Sequence, residues 1–452
     1  MKYSTPLLLV VLLGFSACVS EDQSWQSREV SAELLHEAHK NLTDIMVHDI
    51  FSPPVASRIY AYSSLAAWEV MARKDAQKNS MAGQLNGLSG VPDPEQPAEI
   101  SFEIAALHAF NRIGRTMIFS EDKMETFQQE FVGKEQKNFP KKVWEASANY
   151  GEQVAQAILD WSGKDNYKET RSYPKFSVVE SPGRWQPTPP SYMDGIEPHW
   201  SAIRPFVLDS AQQFKPAPPP PFSMEPGSAF YEEVKKVYDA VKAAKEDQVA
   251  IASFWDCNPY VANLSGHFMF ATKKITPGGH WMGITTLASR KAGENFGEAA
   301  QTYAMVSLAL ADGFISCWDE KYRSSLIRPE TVINRYLDEA WVPVLQTPPF
   351  PEHTSGHSVV SAAAATVLTA RFGDNFAFDD TVEVEFGLPV RHFTSFQQAA
   401  SEAAISRFYG GIHYMPAITE GEKQGKAVGN LHLQRLRFDA QLSLNLDNPS
   451  TK

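Results

Sequence analysis

Positive charge is in short supply in this 452-residue chain: 41 Lys and Arg stand against 53 Asp and Glu, a formal net charge of −12. That balance argues against nucleic acid or an anionic lipid surface as the main partner, so local basic clusters matter more than the total. Cysteine is scarce too, with only Cys18, Cys257 and Cys317. Cys257 and Cys317 can pair in an oxidising compartment or stay as two free buried thiols, and the sequence leaves both open. Beyond the N-terminus no stretch reaches the roughly 18 uninterrupted apolar residues of a membrane-spanning helix. Internal repeats are missing. The length sets a soft prior of about two to three domains or one large helical domain, and a 43% hydrophobic fraction supplies an ordinary core.

The N-terminus reads MKYSTPLLLVVLLGFSAC, with Lys2 ahead of an apolar run and small residues before Cys18. This pattern is that of an export signal over residues 1–17, and its Ser-Ala-Cys ending resembles a bacterial lipobox in which Cys18 carries the lipid. The expectation is an exported lipoprotein, periplasmic or anchored to the outer membrane or cell surface, touching the membrane only through Cys18. Residues 18–27 would be a polar tether. From 28 to 180 the periodicity is helical, with a stripe at Val30, Leu34, Leu35, Ala38, Leu42, Ile45 and Met46, a second helix over 55–73 and further helices over 99–131 and 141–162. No segment there alternates with a period of two, so this part reads as all-α.

Residues 181–226 form a proline- and aromatic-rich strap. Between Pro182 and Pro221 lie 11 of the 30 prolines, which excludes a regular helix or central strand. Trp185, Trp200, Phe206 and Phe214 mark it as an ordered strap packed over helices rather than a flexible linker. A C-terminal helical part over 227–440 follows, with helices expected near 227–256, 282–292, 299–318, 395–409 and 416–435. Of these, 299–318 is apolar nearly all round and so expected to be central. The fold class is all-α, built of helical bundles.

Three clusters in the C-terminal part carry chemistry. Ser355-Gly356-His357 stands where the helix VVSAAAATVL begins, with Ser355 as N-cap. A helix N-terminus offers free backbone N–H groups and the positive end of a dipole, suited to an anion. Lys321 and Arg328 are seven residues apart, two helical turns, which would leave both on nearly one face; the helix should stop at Arg328, which precedes Pro329. Arg407 and His413 would lie about 240° apart on a continuous helix, but Gly410-Gly411 can break it and let His413 return. Three cations, a hydroxyl, a helix start and two histidines suit a tetrahedral oxyanion. A second Ser265-Gly266-His267 has no basic motif ahead of it and reads as local structure, while His280 and His392 read as surface or satisfied core groups.

In order, KYRSSLIRP, SGH and SRFYGGIH resemble the three-part signature shared by type 2 phosphatidic-acid phosphatases, bacterial acid phosphatases and vanadium-dependent haloperoxidases. The strap motifs GRWQPTPP, PHW and RPF, and the early SPPVASRIYAY, resemble the haloperoxidase branch. Thr354 departs from the signature, which has proline there. The resemblance implies helical bundles, with Lys321, Arg328, Ser355, Gly356 and Arg407 holding vanadate or phosphate.

The two branches would use one pocket differently. As a haloperoxidase, with hydrogen peroxide and a halide as substrates, His413 would be the single protein ligand of vanadium and His357 would help deprotonate peroxide. As a phosphatase, His413 would attack phosphorus and His357 would protonate the leaving alcohol. Trp318 and Phe350, standing where haloperoxidases carry aromatics around the halide, favour the first; His353 would add a polar group there. Chloride is hardest to oxidise, so iodide or bromide is the expected halide. A non-catalytic glycan-binding lipoprotein is the remaining alternative.

Overall fold

The computed structural model describes residues 24–259, 261–265 and 268–439. The expected signal, Cys18 and most of the tether lie outside the described residues, as do Gly266 and His267; Ser24–Ser27 form a 3-10 turn. Fourteen α-helices follow in the described residues: α1 Glu33–His48, α2 Pro53–Met71, α3 Phe102–Met117, α4 Glu121–Glu130, α5 Lys141–Ser162, α6 Tyr167–Thr170, α7 Ala229–Lys242, α8 Glu246–Phe254, α9 Pro277–Ala292, α10 Phe296–Ser324, α11 Pro329–Tyr336, α12 Gly356–Phe372, α13 Phe396–Tyr409 and α14 Met415–Arg435. Two antiparallel pairs accompany them, β1 Val261–Ser265 with β2 Phe268–Thr272, and β3 Phe378–Asp380 with β4 Arg391–Phe393. None of the described helices is long and apolar enough to cross a membrane.

Several helix boundaries differ from the periodicity, each for a local reason. The expected helix 99–131 breaks at Ile118-Phe119-Ser120, where the Asp49 carboxylate accepts the Phe119 and Ser120 amides at 3.0 and 2.9 Å and so replaces helical acceptors. The expected 227–256 helix divides after Lys242, and Gln248 accepts the Lys245 amide at 3.0 Å to restart it as α8. Helix α9 begins at Pro277 rather than near 282: Thr276 Oγ1 accepts from Gly279 N at 3.0 Å, so the glycines form its first turn. Helix α10 starts at Phe296 behind a reciprocal Asn295/Glu298 cap and ends at Ser324, with Ser325 left-handed at φ 47°.

Helix α10 is buried along nearly its whole length, packed against α2, α9, α12 and α14. The strap is fixed across it by one carboxylate. Asp312 accepts from the amides of Phe206, Val207 and Leu208 at 2.7, 2.8 and 3.1 Å, and His432 Nε2 of α14 lies 3.0 Å away. Trp185, Trp200 and Phe206 are buried, so the proline-rich stretch is part of the packed molecule. Cys257 and Cys317 are both buried and unpaired.

Helix α14 lies unusually close to α12, the helix opened by Ser355. Gly421, Gly425 and Gly429, four apart and therefore on one face, bring the two backbones together; a Cβ on Gly425 would stand 2.0 Å from the Val359 carbonyl oxygen. We expect Gly425→Ala to lower stability by about 1–3 kcal/mol in denaturant unfolding, because the clash is with backbone. Gly90→Ala, where nothing lies within 4 Å, should stay within about 0.5 kcal/mol of the parent; equal stability of the two variants would refute the close approach.

Candidate active site

The three sequence clusters meet around one cavity of about 150 Å³: Gly356, His357, Arg407, His413, Trp318 and Phe350 are among its lining residues, and Ser355, Lys321 and Arg328 stand behind that lining. Ser355 is the N-cap of α12, its Oγ accepting from Ser358 N at 3.3 Å, so the first-turn amides of α12 face the cavity end. At the end of α13, Gly411 takes φ +76° and its neighbour Ile412 donates to the Arg407 carbonyl at 3.2 Å. That left-handed step, open to glycine at little cost, turns the chain and carries His413 back beside Arg407.

Lys321 and Arg328 converge by a different route from the helical one. The helix ends at Ser324, Arg328 lies beyond it in extended conformation, and both side chains reach the 350–354 turn. Lys321 Nζ donates to the carbonyls of Pro351, Glu352 and Thr354 at 3.0, 3.1 and 2.5 Å. All three of its protons are thereby used, and it acts on the pocket as a buried charge that shapes the turn. Arg328 Nε donates to Phe350 O at 2.9 Å and Nη1 to Ile412 O at 2.8 Å, which leaves Nη2 without a partner. Arg407 Nη1 donates to Trp255 O at 2.6 Å, and its Nε has no partner. Burial lowers the pKa of Lys321 to about 7, of Arg328 to about 10 and of Arg407 below the ordinary guanidinium range.

Both histidines are held in defined tautomers. His413 Nδ1 lies 2.8 Å from Glu352 Oε1, which also accepts from Tyr414 N at 2.9 Å, while Arg328 Nη1 donates towards His413 Nε2 at 3.2 Å. A carboxylate on one nitrogen and a guanidinium donor on the other put the proton on Nδ1 and the lone pair on Nε2. The His357 ring hydrogen-bonds the Trp255 carbonyl, and its Nε2 is buried without a partner. A carbonyl only accepts, so His357 also keeps a lone pair on Nε2. Burial first, then the neighbouring guanidinium groups, hold both rings well below the usual imidazole pKa. Burial raises the Glu352 carboxyl to about 7 against the pull of Arg328.

Trp318 and Phe350 form the apolar wall, their rings 5.0 Å apart, with Arg328 Cζ 5.0 Å and Lys321 Nζ 4.9 Å from the Phe350 centroid. Met193 and Ile196 of the strap and Pro348 and Pro349 complete it. His353 departs from expectation. It does not line the cavity; its Nε2 lies 3.0 Å from the Ala217 carbonyl of the strap, which turns the ring to the outside of the turn. Thr354, in the place of the signature proline, donates to Gln424 Oε1 at 2.7 Å and so ties the turn to α14.

Sequence reasoning missed Glu352, although it stands in the motif-bearing stretch, and missed Trp255 and Asp256, whose carbonyl and carboxylate face Arg407. The residues present fit a tetrahedral oxyanion. Arg407 Nε and His357 Nε2 have no partner among the described residues and belong to residues lining the cavity, and Arg328 Nη2 is likewise unpartnered behind that lining. His413 Nε2, which accepts from Arg328 Nη1 here, carries the lone pair that a metal centre would take. Replacing Glu352 by Ala should weaken orthovanadate binding about 10–100-fold, as loss of a carboxylate behind a ligating histidine does; calorimetric titration giving an unchanged affinity would show that Glu352 does not orient His413.

Comparison with known proteins agrees with this geometry. Residues 301–439 match the family model described as the VCPO second helical-bundle domain. A solved structure described as the first bacterial vanadium-dependent iodoperoxidase is 54% identical, with a TM-score of 0.87, and the match covers 91% of this chain and 98% of that one. A holo-type bacterial vanadium-dependent chloroperoxidase shares the fold at 16% identity and a TM-score of 0.67, over 85% of this chain and 93% of that one. A vanadium-dependent bromoperoxidase of Corallina officinalis is 31% identical over 112 residues, 22% of this chain and only 19% of that relative's length. The chain belongs to the vanadium-dependent haloperoxidase family.

Proposed function

We propose that this protein binds vanadate and uses hydrogen peroxide to oxidise iodide to hypoiodous acid. The observation that carries this reading is the cavity itself: an oxyanion cradle with unpartnered guanidinium nitrogens on one side and the Trp318/Phe350 wall on the other. The 54% identical iodoperoxidase supports iodide as the halide. A large, polarisable and weakly hydrated anion is also the halide that an apolar wall desolvates at least cost.

When bound at His413 Nε2, vanadate supplies a Lewis-acid centre that polarises the O–O bond of peroxide. The protein contributes position, charge and protons. Arg328 Nη2, Arg407 Nε and the first-turn amides of α12 would hold the oxyanion, and Lys321 would add charge without direct contact. His357 Nε2 accepts a proton from the incoming peroxide and later returns it. The sum is H2O2 + I− + H+ → HOI + H2O, in which iodide loses two electrons and the O–O bond breaks. The N-terminal sequence adds a location: we propose that Cys18 carries a lipid that holds the enzyme at a membrane surface on the exported side.

The decisive experiment adds orthovanadate to metal-free protein and compares peroxide-dependent iodide and bromide oxidation with hydrolysis of an aryl phosphate. Iodide oxidation should require vanadate and exceed bromide oxidation, and His413→Ala should abolish it. Phosphate-ester turnover without vanadate, and no iodide oxidation with it, would replace this reading by the phosphatase one. Phe350→Ala should alter the iodide KM more than His353→Ala, since only Phe350 lines the cavity; the reverse order would misplace the halide. Cys18→Ala should move the protein from the membrane to the soluble fraction on cell fractionation, and a protein that stays with the membrane would refute the lipid anchor.

A further inference from the structure

Behind the wall of the cavity lies a second buried cluster that the proposed chemistry does not use. Cys257 follows α8, His280 sits in the first turn of α9, and Asp380 and Glu383 come from the end of β3 and the turn after it. All four side chains are essentially inaccessible to solvent. His280 Nδ1 lies 3.0 Å from Glu383 Oε1 and 3.5 Å from Cys257 Sγ, and Sγ lies 3.8 Å from the same carboxylate oxygen. The other ring nitrogen, Nε2, is 2.8 Å from Asp380 Oδ2.

We propose that Cys257, His280 and Glu383 form a binding site for a thiophilic divalent cation, zinc being the best fit, with Asp380 orienting His280. Three distances carry it. A tetrahedral zinc with ordinary bond lengths to sulfur, nitrogen and oxygen separates its ligand atoms by about 3.3–3.6 Å. The triangle of 3.0, 3.5 and 3.8 Å matches that spacing with small adjustments. Asp380 supplies the independent support: a carboxylate on Nε2 fixes the proton there and leaves Nδ1 free to ligate, the arrangement that commonly backs a metal-bound histidine. Sulfur, imidazole and carboxylate together select zinc over magnesium or calcium, which prefer oxygen alone.

Without a metal the same groups hydrogen-bond to one another, with the His280 ring between the Asp380 and Glu383 carboxylates. Burial works against a charge on His280, but Asp380 and the contact with Cys257 raise its pKa well above the usual value. Burial also holds the Cys257 thiol protonated, at about 11. Loading would release the thiol proton, and any proton carried on Nδ1, to solvent as the Zn–S and Zn–N bonds form, with no change of oxidation state. The remaining coordination position would be filled by water. Cys257 lines the cavity, and Trp255, two residues before it, stacks on His280 with centroids 4.6 Å apart while its carbonyl holds Arg407. A bound cation would thus brace the segment against which the vanadate-binding arginine rests.

The test uses the full chain produced in medium supplemented with zinc or cobalt, with orthovanadate withheld so that the His413 site plays no part. Elemental analysis should find one zinc per chain, and the cobalt form should show the intense near-ultraviolet thiolate-to-cobalt charge-transfer band. Cys257→Ala should lose both. Zinc absent from the wild-type chain, or present equally in Cys257→Ala, would overturn the proposal, as would a cobalt form lacking the band. If Cys257→Ala does not fold, Glu383→Gln replaces it: a cobalt affinity at least tenfold weaker supports the site, and an unchanged affinity refutes it.

Discussion

The pocket is governed by the cost of keeping Lys321, Arg328 and Arg407 out of water in one place. Burying a cation without a partner is expensive, and the protein meets the cost only in part. Carbonyl oxygens of the 350–354 turn, Ile412 and Trp255 take most of the donors. The acids within reach do less: Glu352 is turned towards His413, and Asp256 is held 2.6 Å from Lys274 while standing 3.9 Å from Arg407. What is left is positive charge with two guanidinium nitrogens that have no partner among the described residues. The missing partner is an anion, and the turn at Ser325, the N-cap at Ser355 and the left-handed step at Gly411 serve to keep its place.

Much of this was legible before any coordinates. Burial of α10 follows from its uniformly apolar surface, and Ser355 reads as an N-cap because a hydroxyl preceding an alanine-rich run has few other uses. The glycine pair before His413 was informative because the alternative, a continuous helix, put the two groups on opposite faces. What escaped was non-local. The helix carrying Lys321 stops before Arg328 because Ser325 adopts a left-handed conformation that no sequence pattern marks, and the two residues meet through the carbonyls of a distant turn. Glu352 carries no local signal because its partner, His413, is 61 positions away. Asp49, which ends α3 by taking the Phe119 and Ser120 amides, is equally invisible to periodicity.

The same logic explains how far-separated segments hold a small site steady. Asp312 gathers three strap amides and His432 at one point of α10, and the α14 glycines let that helix lie against α12 close enough for Gln424 to reach Thr354. Each device acts on a backbone segment rather than on a reacting group. The candidate site can then be built from few groups: two imidazoles, two guanidinium nitrogens without a partner among the described residues, and the start of one helix.

The strap has a consequence of another kind. The candidate oxyanion cradle is made from the C-terminal helices and the turns between them, while part of the apolar wall, Met193 and Ile196, comes from the proline-rich strap packed against those helices. Ile196 is held there by backbone, its amide on Pro349 O and its carbonyl on Trp318 Nε1, and its side chain packs against the core. A change of either side chain would therefore alter the apolar wall without removing a group of the candidate cradle.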